Sequence, residues 1–250
     1  MIKHYLKQLS EYLLPVRYQL PARYYWHVFN GTLDAEMRLV SSKLSQCRCF
    51  VDVGANAGLY SYHFSKKFSQ VVAFEPLIER SEWIVRLNKH NITVHPVALS
   101  NQITDLKIWI PIQNGMLSTE LASLEREDPS MIERVIPART LDSYDLDNVD
   151  LLKIDVEGHE LSVLEGGIHT IHRCNPLILV EIEQRHHQQP ISRILNWFEN
   201  HGYSGYFLQN QKWVSIDYFN VDQHQVPYLN NVTHSLYVNN FLFMPITTPP

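Results

Sequence analysis

From residue 49 onward the apolar positions collect in short unbroken runs, and between the runs they recur at the spacing of a helix packed along one side. Cys49-Phe50-Val51-Asp52-Val53 is the first run and closes on Gly54. Ala55-Asn56-Ala57-Gly58 and a helical stretch from Leu59 to Phe68 follow, so the order is strand, tight glycine turn, helix. Val71-Val72-Ala73-Phe74-Glu75 predicts a second strand, followed by Pro76 and a helix marked by Ile78, Trp83, Ile84 and Leu87. Further strands are predicted at Ile92 to Val97, Leu151 to Val156 and Leu177 to Ile182, the last backed by a helix carrying Ile194, Leu195, Trp197 and Phe198. Such alternation predicts an α/β fold. Its sheet is mostly parallel and covered by helices on both faces, with ligands bound at the carboxyl ends of the strands.

Two flanks depart from this rhythm. The first 45 residues predict an N-terminal helical segment ahead of a main domain over 46–250. In it Tyr24-Tyr25-Trp26 and Phe29 lie beside Arg17, Arg23 and His27, and Leu33 to Val40 reads as an amphipathic helix. Pro15 and Pro21 interrupt the aromatic stretch, which favours packing across the sheet or a lid over a membrane-surface patch. The segment from Ile112 to Glu133, with Met116, Leu117, Ser118 and the charged run Glu125-Arg126-Glu127-Asp128, predicts a loop over an acceptor pocket.

Composition narrows the class. The chain has 250 residues, 45% hydrophobic and 19% charged, with a formal net charge of −5 and scattered basic residues, which argues against nucleic acid as substrate. Cys47, Cys49 and Cys174 lack zinc-type spacing and fit a reducing, cytoplasmic setting. The start has neither the apolar core nor the cleavage site of a signal peptide, and no uncharged run reaches transmembrane length. The glycosylation patterns at Asn91 and Asn231 read as accidental in that setting.

The acidic residues fall at the predicted strand ends. Gly54 and Gly58 let the backbone approach a ligand, and Glu75, twenty-one residues after Gly54, stands where a carboxylate can accept from both hydroxyls of a ribose. The spacing is not the G-x-G-x-x-G of a dinucleotide site, which disfavours a nicotinamide oxidoreductase and suits a nucleoside with an amino-acid tail.

Phe50 to Gly58, Phe74-Glu75-Pro76, Val97 to Ser100, Arg139 to Ser143, Leu152 to Glu160 and Val163 to Gly167 together resemble, in order and spacing, the motifs of the FkbM-type methyltransferases. The resemblance runs from about 33 to 245 and takes in Pro176, Glu181 and the terminal run Asn240 to Pro245. It implies a Rossmann-like class I methyltransferase fold with a seven-stranded sheet and an antiparallel last strand. It also implies S-adenosyl-L-methionine as cofactor and a hydroxyl of a sugar, glycan precursor or polyketide-like molecule as acceptor. Carried over by position, Asp52, Gly54, Asn56 and Gly58 would surround the methionine tail, Glu75 and Pro76 the ribose, and Ala98 the adenine. Asp155 would stand beside the sulfonium and the acceptor.

Each residue also has a plain structural reading: Asp52 as a turn cap, Asn56 as a left-handed position, Glu157 and Glu160 as complements to a helix start. For the proton on the acceptor hydroxyl, Asp155 and His159 are the nearest candidates, with His186 or His187 as a further pair. Asp155 and Glu181 could instead share a divalent ion such as Mg2+. A chain that binds the cofactor as a regulatory or docking module without turnover is the alternative function, and the oligomeric state is left open.

Overall fold

The computed structural model describes residues 14–113, 116–119, 122–125 and 128–246. In chain order, helices α1 (Val16–Asn30) and α2 (Ala35–Leu39) lead into β1 (Cys49–Val53), α3 (Leu59–Phe64), β2 (Gln70–Phe74), α4 (Ile78–Val85) and β3 (Ile92–His95). Five strands follow without a helix of the main type between them: β4 (Ala98–Leu99), β5 (Thr104–Ile110), β6 (Ile112–Gln113), β7 (Met116–Leu117) and β8 (Ile132–Arg139). Then come β9 (Val149–Ile154), α5 (Glu160–Gly166), α6 (Ile168–Cys174), β10 (Leu177–Glu181), α7 (Ser192–Asn200), β11 (Tyr203–Gln209), β12 (Lys212–Ser215), α8 (Val221–His224) and β13 (Asn240–Pro245).

The main sheet runs β12-β11-β13-β10-β9-β1-β2-β3. Strands β3, β2, β1, β9 and β10 are parallel, while β13 lies antiparallel to both β10 and β11. The expected seven strands and antiparallel last strand are there, and β12, folded back from β11 as a hairpin, adds an eighth at the edge. Central strands of such a sheet are apolar throughout because both faces are covered, and every residue of β1 is buried.

One face packs Val51, Val53, Leu152, Ile154, Ile178 and Val180 beneath α5, α6 and α7, with Phe198 stacked on Phe243 at a centroid distance of 3.6 Å. The other face packs Phe50, Leu151, Leu179 and Leu242 beneath α1, α2 and α3. Leu20, Tyr24 and Met37 of the N-terminal helices belong to this second layer, so the described part of the segment before residue 45 shares the core of the main domain. Residues 1–13 lie outside the described residues.

Two expectations change. Pro21 does not break the aromatic stretch: α1 carries it in its interior, running on from Pro15 at the N-cap to Gly31, whose φ of 66° ends the helix. And the segment from Ile112 to Glu133, expected as a loop, holds a short hairpin and is flanked by a sheet that the sequence pattern did not predict. β4, β8 and β5 make a three-stranded sheet of their own, with β5 and β8 antiparallel over their whole length, and β6 and β7 form a short hairpin. Arg126 and Glu127 of the charged run lie outside the described residues.

Candidate active site

The site is assembled where β1, β2, β9 and β10 end. Gly54 leaves β1 with φ +73°, and a Cβ there would sit 1.8 Å from the carbonyl oxygen of Asp155. Only glycine lets the two strand ends come this close, and the Asp155 N–H closes the contact by donating to the Val53 carbonyl at 3.0 Å. Asn56 is left-handed at φ 49°, and Gly58, at φ +84°, opens α3 with Ile84 packed against it.

Glu75 follows β2. Its Oε2 accepts from the Asn56 N–H at 2.8 Å and its Oε1 from the Leu77 N–H at 2.9 Å, which ties the glycine turn to the end of β2. Burial pushes its carboxyl up to about 7, against the pull of those two backbone donors. Each oxygen keeps lone-pair capacity toward the crevice that Glu75 lines.

Between β1, β9 and β10 lies a group of charges that the strand pattern conceals. Lys153 is 4% exposed, points its ammonium at Asp155 Oδ2 at 2.9 Å, and sits 4.5 Å from the centroid of the Tyr60 ring. Asp52, fully buried and in register with Lys153, accepts from Ser61 Oγ at 2.6 Å through Oδ2, while Oδ1 is buried without a hydrogen-bond partner. Asp52 therefore ties β1 to α3 rather than capping the adjoining turn. Burial lifts its carboxyl, with the Lys153 ammonium opposing.

Glu181, at the end of β10, accepts from Asn239 Nδ2 at 2.7 Å, and burial together with the charge of Asp155 lifts its carboxyl well above the usual range. Next to it Glu183, which burial alone would raise, is held down to about 2 by the Arg185 guanidinium and the Tyr237 hydroxyl. This donor set does not suit Mg2+. One Asp155 oxygen already faces an ammonium and Glu181 favours its proton. Among the described residues, no group of three His, Cys, Asp or Glu side chains assembles to hold a metal.

The histidines stand elsewhere. His159 is 8% exposed and wedged between Glu125 Oε1, 2.5 Å from Nδ1, and Ser100 Oγ, 2.9 Å from Nε2, so both ring nitrogens are engaged. His186 Nε2 lies 2.6 Å from Glu157 Oε2, and His187 Nε2 lies 3.0 Å from Glu160 Oε2. These pairs fasten the turn before α5 to the segment after β10. None of the three histidines lines the crevice with Glu75 and Asp155. Glu160 also accepts from the Gly158 N–H at 2.8 Å in the first turn of α5, the plain structural role.

Two cavities meet at this place. The first runs past Glu75, Pro76 and Ala98 to Asp155, Glu157 and Glu181, with Leu99, Ile108 and Leu124 as apolar walls. The second lies under α1 and shares Gly54, Asn56 and Asp155 with the first. Asp52, Ala57, Tyr60 and Lys153 line it.

A family profile described as methyltransferase FkbM domain matches residues 52–204, more than half of the chain. The chain belongs to the FkbM methyltransferase family. Among solved structures, the methyltransferase FkbM of Methylobacillus flagellatus KT superposes with a TM-score of 0.51 at 16% identity. That match covers 79% of this chain and 43% of the other, so the chain spans less than half the length of that relative, and the likeness is one of fold. An rRNA methylase of Streptococcus thermophilus gives a TM-score of 0.46 at 12% identity, covering 84% of this chain and 92% of that one. A precorrin-6y C5,15-methyltransferase of Geobacter metallireducens GS-15 gives 0.42 at 12%, covering 83% and 87%. No curated protein sequence matches.

The matched span begins at Asp52 and includes the glycine turn, Glu75, Lys153, Asp155, the three histidines and Glu181. Lys153 escaped notice in the sequence because it reads as one polar residue within a buried run. The signal was its place two residues before Asp155, which puts both side chains on one face of β9. Thr119, Ala122 and Leu124 also reach the first cavity, from the segment expected to cover a pocket. No helix among the described residues is long and apolar enough to cross a membrane.

Proposed function

We propose that this FkbM-family domain transfers a methyl group from S-adenosyl-L-methionine to a hydroxyl oxygen of a sugar, glycan precursor or polyketide-like acceptor. The observation that supports it most is the convergence of Gly54, Asn56, Glu75 and Asp155 on one cavity whose far wall is apolar. These residues suit the parts of the cofactor in turn. Ala98, Leu99 and Ile108 offer a flat apolar slot for a purine. Glu75 offers oxygen acceptors for two ribose hydroxyls, and the turn from Gly54 to Gly58 offers bare backbone to the amino-acid tail. The cofactor supplies an activated methyl carbon.

The chain then has to hold a hydroxyl in line and hold the proton it loses. Asp155, at the junction of the cavities, takes that proton on its carboxylate. Lys153, 2.9 Å away, keeps the carboxylate aimed until then. His159, His186 and His187, each engaged with a carboxylate and none lining this crevice, are read as fasteners rather than as the base.

Calorimetry tests the reading. S-adenosylhomocysteine should bind in the micromolar range, about −8 kcal/mol, and labelled methyl groups should appear on an acceptor oxygen. Absence of binding by either form of the cofactor would falsify it.

A further inference from the structure

The second cavity has a lining at odds with the rest of the molecule. The chain carries a formal net charge of −5, yet two arginines from separate elements, Arg23 of α1 and Arg80 of α4, line this cavity, beside Lys153 of β9, which is paired with Asp155. The carboxylates on the same wall are already committed, Asp52 to Ser61 and Asp155 to Lys153. Arg80 donates through Nε to Thr119, which fixes it at the rim. Arg23 is half-buried, and among the described residues it makes no hydrogen bond or ion pair. The fork geometry of a guanidinium is that of a carboxylate or phosphate receptor. Leu20, Leu59 and Tyr60 supply apolar surface beside it.

We propose that this cavity holds the methyl acceptor and that the acceptor is anionic. Its phosphate or carboxylate group lies against Arg23 and Arg80, and its hydroxyl lies at Asp155. This deepens the methyl-transfer reading and rests on it. The geometry has a direct consequence: because the two cavities share Gly54, Asn56 and Asp155 and nothing of Arg23, an acceptor anchored at Arg23 reaches the reacting centre from the side opposite the adenine end. The helix that brings Arg23 is then a part of acceptor recognition as well as a cover for the sheet.

The test uses inorganic pyrophosphate as the anion, titrated by calorimetry into the full chain with and without saturating S-adenosylhomocysteine. The proposal expects pyrophosphate to bind the loaded protein. It also expects Arg23→Gln to weaken that binding by about tenfold or more with cofactor affinity unchanged, and Arg23→Lys to recover part of it. Three results would overturn it: no binding of pyrophosphate to the loaded wild type, equal binding by wild type and Arg23→Gln, or displacement of pyrophosphate by S-adenosylhomocysteine together with loss of cofactor affinity in Arg23→Gln. The last assigns the arginine wall to the cofactor's own carboxylate. Cofactor binding by the wild type is measured first. Its absence sinks the methyl-transfer reading, while anion binding by the unloaded chain is still read from the same variants.

Discussion

Lys153 holds its buried ammonium 2.9 Å from the Asp155 carboxylate, two positions along the same strand. Across the sheet Asp52 faces Lys153 in register, so one cation stands between a fully buried carboxylate and one that opens to both cavities. The arrangement offsets part of the cost of burying Asp52 and leaves Asp155 on the wall common to both cavities.

Lys153→Met should destabilise the chain strongly. Removing the cation leaves Asp52 uncompensated, and breaking a buried pair costs about 3–5 kcal/mol. Urea denaturation should show that loss, and Asp52→Asn in the same chain should restore part of it. An unchanged midpoint would mean the ammonium contributes nothing to the fold.

Asp155→Asn keeps the shape and removes the charge. The melting temperature and S-adenosylhomocysteine affinity should stay near wild type while turnover falls by about 10²-fold or more. Full turnover in this variant would take the proton away from Asp155.

Cofactor binding should depend on pH through Glu75. Its carboxyl is raised from an ordinary 4.5 to about 7 in the folded chain, so the group contributes stability that is fully present below 4.5 and is lost as pH rises through 7. Hydroxyl donors favour the ionised form, so binding below pH 7 has to release a proton. The S-adenosylhomocysteine dissociation constant should therefore rise as pH falls from 8 to 6, with proton release visible in buffers of different ionisation enthalpy. Glu75→Gln should flatten the profile and weaken binding by about 1–3 kcal/mol. A flat wild-type profile contradicts the assignment.

Gly54→Ala should prevent normal folding. The added methyl would meet the Asp155 carbonyl oxygen at 1.8 Å, on a backbone at φ +73°, and neither strand end can retreat without breaking the Asp155 to Val53 hydrogen bond. Strain of this kind costs more than about 3 kcal/mol. Soluble protein with wild-type thermal stability would show that the two strands can separate.

His159 is expected to act on stability and not on the chemical step. His159→Asn loses the link between Glu125 and Ser100, and melting should report a loss of about 1–3 kcal/mol. Turnover at saturating substrate should change by less than about threefold, which is under 1 kcal/mol of activation free energy. A fall of a hundredfold would return the histidine to the list of bases.

Periodicity in the sequence was enough for β1, β2, β9, β10 and the helices behind them, because buried parallel strands must be apolar along their length and their helices apolar along one side. It was enough, too, for the acidic residues at the strand ends, since ending a strand is a local property. The sheet formed by β4, β5 and β8 was not legible in the same way. Val135 is 65% exposed on one side while Ile136 is buried, and a half-solvated antiparallel pair in a long insertion reads as a polar loop.

Partners were decided by the tertiary structure alone. Nothing local distinguishes His159 from His186, yet one is enclosed by Glu125 and Ser100 and the other meets Glu157. The Lys153–Asp155 pair is local, but Lys153 meets Asp52 of β1 and Tyr60 of α3 only through the packing of separate elements. Arg23 lines a cavity only because α1 folds across the sheet onto the glycine turn. Side-chain period and strand length are properties of neighbouring residues. Which charge ends up facing which is set by the packing of segments a hundred residues apart.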